Sequence, residues 1–382
     1  MLLQKNKKGK SILEKIKLMN PFFISLIFII SCIGFLSLYS AAGGSINPWA
    51  SKQIIRFGLG AIIMFTVALF DIKTWLKLSY IAYFGSLFLL IIVEIAGDVG
   101  MGAQRWIDLG FMKLQPSEIM KLSLVMALAR YFNATEDGSM HKIKFLIPPA
   151  LMILAPVLLV LRQPDLGTAL MLVGLGGAIF ILCGLSYKLL GVAALLVGGT
   201  LPFIWKYGLK EYQQGRVLTF LNPERDPLGA GYHIIQSKIA FGSGGMWGRG
   251  FLKGSQSYLN FLPEKQTDFI FTLFAEEWGF AGCCVVIFLY TLLLAYGFIV
   301  SINCQSIYGK ILAMGVNINL FLYIFINIGM ITGVLPVVGV PLPLFSYGGT
   351  VMLTTMAGFG FILNAAINND VKINWKPKIG DF

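Results

Sequence analysis

The chain has 382 residues, 57% of them hydrophobic and 13% charged, with a formal net charge of +12. That much apolar surface exceeds what a soluble core of this size can hide, so the composition excludes a soluble enzyme and predicts an all-α, polytopic membrane helix bundle. The basic excess lies in short clusters between apolar runs rather than along one soluble face, which reads as a topology signal and not as a nucleic-acid surface. Cys32, Cys183, Cys283, Cys284 and Cys304 sit in or beside apolar runs, and His141 and His233 stand far apart. Neither a disulfide framework nor a zinc site follows from them.

Residues 1–20 hold six lysines ahead of an apolar run that starts at Pro21. Small residues at Ser40 and Ala42 could mimic a cleavage site, but the run is long enough to span and many spans follow, so it reads as an uncleaved first helix. Apolar runs of membrane length predict ten spans, near 21–42, 54–70, 79–97, 115–131, 144–161, 166–183, 187–206, 268–299, 309–333 and 347–366. An even count puts both termini on one side. Lys73, Lys77, Arg130, Lys144, Lys188, Lys310 and both tails share that side, which makes it the cytoplasm. The expected organisation is a basic tail (1–20), one membrane domain (21–366) and a second cytoplasmic tail (367–382).

The outer loop, 207–267, breaks the charge rule, because Lys210, Arg216, Arg225, Lys238, Arg249, Lys253 and Lys265 outnumber its acids. Either a long loop tolerates them or they attract an anion at the outer surface. Within it, Tyr232, Ile235 and Ile239 recur at helical spacing and predict a short amphipathic helix along the interface. The glycine-rich turn Gly242–Gly250 follows, and its backbone could approach a bound group closely.

Charged residues recur at the predicted outer face. Asp268 stands where the polar loop meets the eighth span, either as a helix cap or as a functional carboxylate. Glu118 and Lys121, three apart behind Pro116, share a helix face below Arg105 and Trp106. They form either a self-satisfied ion pair or the lining of a wet cavity. Arg162 and Asp165 flank a turn closed by Pro164 and Gly167, which explains them without function. Residues 335–350 carry three prolines and a Gly-Gly pair, so they cannot form a regular helix and predict a re-entrant or packed outer loop. Together these segments imply an outward polar cavity holding Asp268, Glu118, Lys121, Arg105 and either Arg162 or Arg216.

Five ordered segments, QPSEIMK, RQPDLGTA, NPERDPLGAGYHIIQSKIAFGSGG, FLPEKQTDFIF and PLPLFSYGGT, span nearly the whole chain. They resemble the motifs of the SEDS family of cell-wall proteins, and RWIDLGFMKLQPSEIMK resembles its elongation branch more than its division branch. The resemblance implies a peptidoglycan glycosyltransferase that polymerises lipid II into a nascent glycan strand at the outer face of the bacterial plasma membrane. Its essential aspartate corresponds to Asp268, and Glu118, Lys121 and Arg105 correspond to the family's cavity residues. It also implies a class B penicillin-binding protein and other membrane proteins of the cell-elongation complex as partners.

The chemistry needs a base for the attacking hydroxyl, tolerance of an oxocarbenium-like centre and an offset for the departing pyrophosphate. Asp268 fits the first task, as the base or as the group that orients the acceptor hydroxyl, while Arg105, Lys121, Arg216 and Lys265 fit the last. No organic cofactor is implied, and a divalent cation (Mg or Mn) on the pyrophosphate is compatible although the sequence shows no oxygen cage. The rival from another class is a transporter of the lipid-linked precursor, for which two related halves would be expected; a non-catalytic scaffold is a third.

Overall fold

The computed structural model describes residues 10–373 apart from 101–102, 109, 111, 136–142, 186, 204, 207–210, 223–229 and 255–264. The start of the long outer loop, most of the NPERDPLG stretch and the stretch 258–264 therefore lie outside the described residues, as does the tail after 373.

A short helix, α1 (Ile12–Lys17), opens the described chain, its Ser11 and Glu14 forming a reciprocal capping box. Ten longer helices occupy the ten predicted intervals: α2 (Pro21–Ala41), α3 (Trp49–Leu69), α4 (Ile72–Ala96), α5 (Pro116–Ala134), α6 (Ile143–Arg162), α7 (Leu166–Leu182), α8 (Tyr187–Phe203), α11 (Ile270–Asn303), α12 (Ile307–Thr332) and α13 (Gly349–Ile367). The outer loop adds α9 (Glu211–Leu221) and α10 (Ala230–Ser243). Seven of the helices are long and apolar enough to cross a membrane; α5 is more polar, and α7 and α8 are 17 residues each. The molecule is a polytopic helix bundle. Its helices α3 and α4 begin several residues before their apolar runs, because the backbone ladder continues through the polar ends Trp49–Gln53 and Ile72–Leu78.

One element departs from an all-helical chain. Residues between α4 and α5 form a three-stranded antiparallel sheet, β1 (Asp98–Gly100), β2 (Ala103–Asp108) and β3 (Lys113–Leu114), in the order β1-β2-β3. It is too short to alter the fold class, but it determines where Arg105 is carried.

The bundle has two distinct ends. At one, Lys10 pairs with Asp370 at 2.8 Å, Asn364 of α13 donates to the carbonyls of Val67, Ala68 and Phe70, and Gln305 N donates to Asn369 O. Both described extremities of the chain thus meet there. At the other end, the N-termini of α3, α5, α7, α11 and α13 gather around the loop between α12 and α13. Helix α13 lies along α3 so closely that a Cβ on Gly360 would fall 2.6 Å from Met64 O, the close backbone approach that small residues permit between membrane helices.

Helix α11 is interrupted. Gly279 has φ +67°, which breaks the ladder, and the glycine-rich turn supplies replacement partners: Arg249 N and Gly250 N donate to Glu276 O and Glu277 O, while Phe280 N and Ala281 N donate to Gly245 O and Met246 O. A Cβ on Gly248 would sit 2.1 Å from Glu277 O, so the close approach made by this turn is to α11.

The predicted amphipathic helix exists as α10, but a different stripe is buried. Ser237 and Ala240 face inward, with Ser237 Oγ bonded to Ile331 O and within 2.9 Å of Thr272 Oγ1, whereas Ile239 is exposed. Small residues win this face because α10 packs against α11 and α12.

Candidate functional site

The loop between α12 and α13 is packed, as its prolines and glycines predicted. Leu342, Leu344 and Phe345 are buried, Ser346 Oγ accepts from Leu342 N at 2.8 Å, and Gln53 of α3 clamps the end of the loop through Ser346 O and Gly348 N. Side chains thereby satisfy Leu342 N, Ser346 O and Gly348 N without a helix, the kind of pairing that irregular chain at this depth requires.

Asp268 rests against this loop, partly exposed. Gly339 has φ +73°, a conformation that favours glycine, and a Cβ there would come within 3.3 Å of Asp268 Oδ2. Two further ties fix the segment: Tyr347 N donates to Gln266 O at 2.8 Å, and Asn327 Nδ2 donates both to Asp268 O (3.0 Å) and to Val340 O (2.7 Å).

One helical turn earlier on the same face of α12, about 6 Å along its axis, Tyr323 meets the QPSE helix. Lys121 Nζ donates to Glu118 Oε1 at 2.6 Å and to the Tyr323 hydroxyl, and that hydroxyl donates to Glu118 Oε2. Lys121 and Glu118 are 1% and 4% exposed, and the ammonium also sits 4.2 Å from the Tyr323 ring centroid. The pair is therefore self-satisfied, with Tyr323 as its third member, and does not line an open wet cavity. Asp268 and this triad are nonetheless brought together, one at each end of the Tyr323–Asn327 turn.

Arg105 is carried by β2 onto the turn before α7. Its Nε donates to Gln163 O at 3.1 Å and lies 3.8 Å from Asp165 Oδ2, and its Nη2 donates to Pro164 O. Asp165 caps α7 by accepting from Thr168 N and Oγ1. That turn abuts the proline-rich loop, since a Cβ on Gly167 would fall 2.9 Å from Val338 O. Arg216 reaches the same loop from α9, with Nη1 3.4 Å from Val337 O. Lys265 stands three residues before Asp268, and burial lowers its ammonium pKa from the usual lysine value. Arg162 does not join them: it is 73% exposed and turns to Glu94 Oε1 at 3.6 Å, away from the site. As the last residue of α6, it directly precedes the turn that Arg105 grips.

Sequence reasoning missed several residues. Arg56 of α3 lies 4.6 Å from the Tyr347 ring centroid and beside Gly349, with a buried Nη1 that has no hydrogen-bond partner. A cation at the start of α13 is disfavoured by the helix dipole, so the arrangement favours an anion there. An arginine inside the predicted span 54–70 was the available signal. Glu276 and Glu277 are likewise buried within a span; Glu277 Oε1 accepts from Ser40 Oγ and Leu252 N, while Oε2 is unpaired. Tyr323 and Asn327 gave no signal, because both are ordinary residues in membrane helices.

Among the described residues no three His, Cys, Asp or Glu side chains converge. Glu118 and Asp165 are already committed to Lys121, Tyr323, Thr168 and Arg105, so this donor set does not fit a resident Mg or Mn ion. The arrangement is instead one carboxylate at the edge of a packed loop, with Arg56 and Arg216 reaching that same loop and Arg105 the turn that abuts it.

The chain is similar to known proteins over most of its length. It is 41% identical over 359 residues to the peptidoglycan glycosyltransferase MrdB of Escherichia coli, covering 94% of this chain and 96% of that one. The solved structure of the rod shape determining protein RodA of Thermus thermophilus superposes with a TM-score of 0.69 at 28% identity, covering 92% of this chain and 97% of that one. A chain of a peptidoglycan synthase complex, described as coordinating polymerization and crosslinking, superposes with a TM-score of 0.79 at 32% identity over 91% of this chain and 97% of its own. The family model of the cell cycle proteins FtsW, RodA and SpoVE matches residues 13–371, and the chain belongs to that family.

Proposed function

We propose that this protein is a peptidoglycan glycosyltransferase that polymerises lipid II at the outer face of the plasma membrane, in the elongation rather than the division branch of its family. The observation that carries the reading is the placement of Asp268 beside Gly339, its main chain held by Asn327. Similarity to proteins named MrdB and RodA supports the branch and the reaction, and weighs against the transporter. The lysine and arginine distribution supports cytoplasmic termini and an outward site, the two occupying opposite ends of the bundle.

In the transfer, a sugar hydroxyl oxygen bonds to the anomeric carbon as that carbon's bond to the lipid pyrophosphate breaks. Asp268 takes the hydroxyl proton. The pyrophosphate leaves with the bonding pair, its charge offset by Arg56 and Lys265, with Arg216 and Arg105 holding the surrounding loop and turn. Glu118, Lys121 and Tyr323 pin α12 so that its Asn327 meets Asp268. A class B penicillin-binding protein would crosslink the product, a division of labour that the likeness to a synthase complex supports.

The test is polymerisation of labelled lipid II by the purified protein with its matching penicillin-binding protein. Asp268→Asn is expected to abolish glycan chains while folding normally. Wild-type chain formation by that variant would remove the base assignment, and translocation in sealed vesicles without polymerisation would restore the transporter.

A further inference from the structure

The carbonyl of Asp268 lies outside the hydrogen-bond ladder of α11, because Thr272 N donates to Phe269 O instead. Its donor is a side chain from another helix, Asn327, which is 0% exposed. The two protons of that amide go to two carbonyls, one from the segment carrying Asp268 and one from Val340, next to the glycine that abuts the carboxylate. One side chain thus ties the segment that carries Asp268 to the loop whose Gly339 abuts the Asp268 carboxyl group. The arrangement is costly, because Asn327 Oδ1 is buried with no hydrogen-bond partner among the described residues. A residue present only to fill space would carry no such orphan, and leucine has nearly the same shape.

We propose that Asn327 is a positioning residue for glycosyl transfer: by holding Asp268 O and Val340 O on one amide, it fixes the Asp268 carboxylate where the acceptor hydroxyl must reach it. The inference rests on the reading of Asp268 as the base. It extends that reading to a residue on another helix that touches no reacting atom. It also gives the Glu118–Lys121–Tyr323 triad a reason to lie one turn away, since locking Tyr323 fixes the rotation of α12 about its axis and with it the direction of Asn327.

The experiment compares the full-length protein, as Asn327→Ala, Asn327→Leu and Asp268→Asn variants, in lipid II polymerisation with its penicillin-binding partner, alongside thermal unfolding. Both Asn327 variants are expected to lose about tenfold or more in kcat, as a misplaced reactive group does. Their KM for lipid II should stay within about threefold, because the cationic side chains that meet pyrophosphate are untouched. The leucine variant keeps the shape and removes the orphan acceptor but also takes the donor from Asp268 O and Val340 O, so it should unfold somewhat below the wild-type temperature, and the discriminating readout is the split between kcat and KM. A purely structural Asn327 would instead lower the unfolding temperature with kcat unchanged, or raise KM. Two results overturn the proposal: kcat within about twofold of wild type in Asn327→Leu, or a loss confined to KM. Full activity in Asp268→Asn would refute the base reading, whereas an inactive Asp268→Asn with a normal Asn327→Leu would refute only the positioning role.

Discussion

Replacing Lys121 by methionine removes the ammonium from the buried triad and leaves the Glu118 carboxylate, 4% exposed, with only the Tyr323 hydroxyl. Breaking a buried ion pair by deleting one partner costs about 3–5 kcal/mol, most of it the penalty of the stranded charge. At about 2 °C per kcal/mol for a large domain, unfolding should move down by roughly 6–10 °C. The triple variant Glu118→Leu/Lys121→Met/Tyr323→Phe strands nothing, since it replaces the whole network with apolar groups of similar size, and should return to about the wild-type temperature. Thermal unfolding of the purified protein in one detergent reads both numbers. A single variant that unfolds with the wild type, or a triple variant as unstable as the single, would refute the account of α12 being pinned by a charge-compensated network.

Other perturbations act nearer the carboxylate. Gly339→Ala forces an L-residue to φ +73° and places a methyl 3.3 Å from Asp268 Oδ2; the left-handed backbone alone costs about 1–2 kcal/mol, and polymerisation should fall further than that modest loss of stability implies. Because burial lowers the Lys265 pKa, that side chain sheds its proton at a lower pH than an ordinary lysine. KM for lipid II should therefore rise early on the alkaline side, and Lys265→Arg should move that rise to higher pH; identical pH profiles would exclude Lys265 from the pyrophosphate site. Arg56→Gln removes a cation whose buried Nη1 has no hydrogen-bond partner among the described residues, and is expected to lower kcat/KM about tenfold with a fall in kcat, because the charge it offsets develops as pyrophosphate leaves; initial rates against lipid II concentration read the split.

The spans were legible because a membrane dictates the length of any helix that crosses it, so ten apolar runs led to ten helices, seven of them long and apolar enough to cross, with boundary errors at their polar ends. The proline-rich loop was legible for the opposite reason, since Pro341 and Pro343 with Gly348 and Gly349 forbid a regular ladder. What a sequence without coordinates does not carry is which side chain meets which. Glu118 and Lys121 announced an ion pair by their spacing, but Tyr323, two hundred positions later, decided whether that pair was open or closed. Arg162 and Arg105 looked equivalent, and only the strand that carries Arg105 back over the α7 turn separates them. The glycine-rich turn suggested a ligand because the break it mends, at Gly279, looks in sequence like any glycine within an apolar run.

That mended break bears on the order in which the molecule can be assembled. The turn at 242–250 precedes Gly279 by only a few dozen positions, so both halves of α11 can be spliced as soon as that stretch has left the ribosome. Asp268, by contrast, waits for Asn327, Gly339 and Tyr347, which are among the last parts of the chain to be made. Synthesis halted after α11 would leave the Asp268 segment without Asn327, Gly339 and Tyr347, so the site would form only once α12, α13 and the loop between them are made.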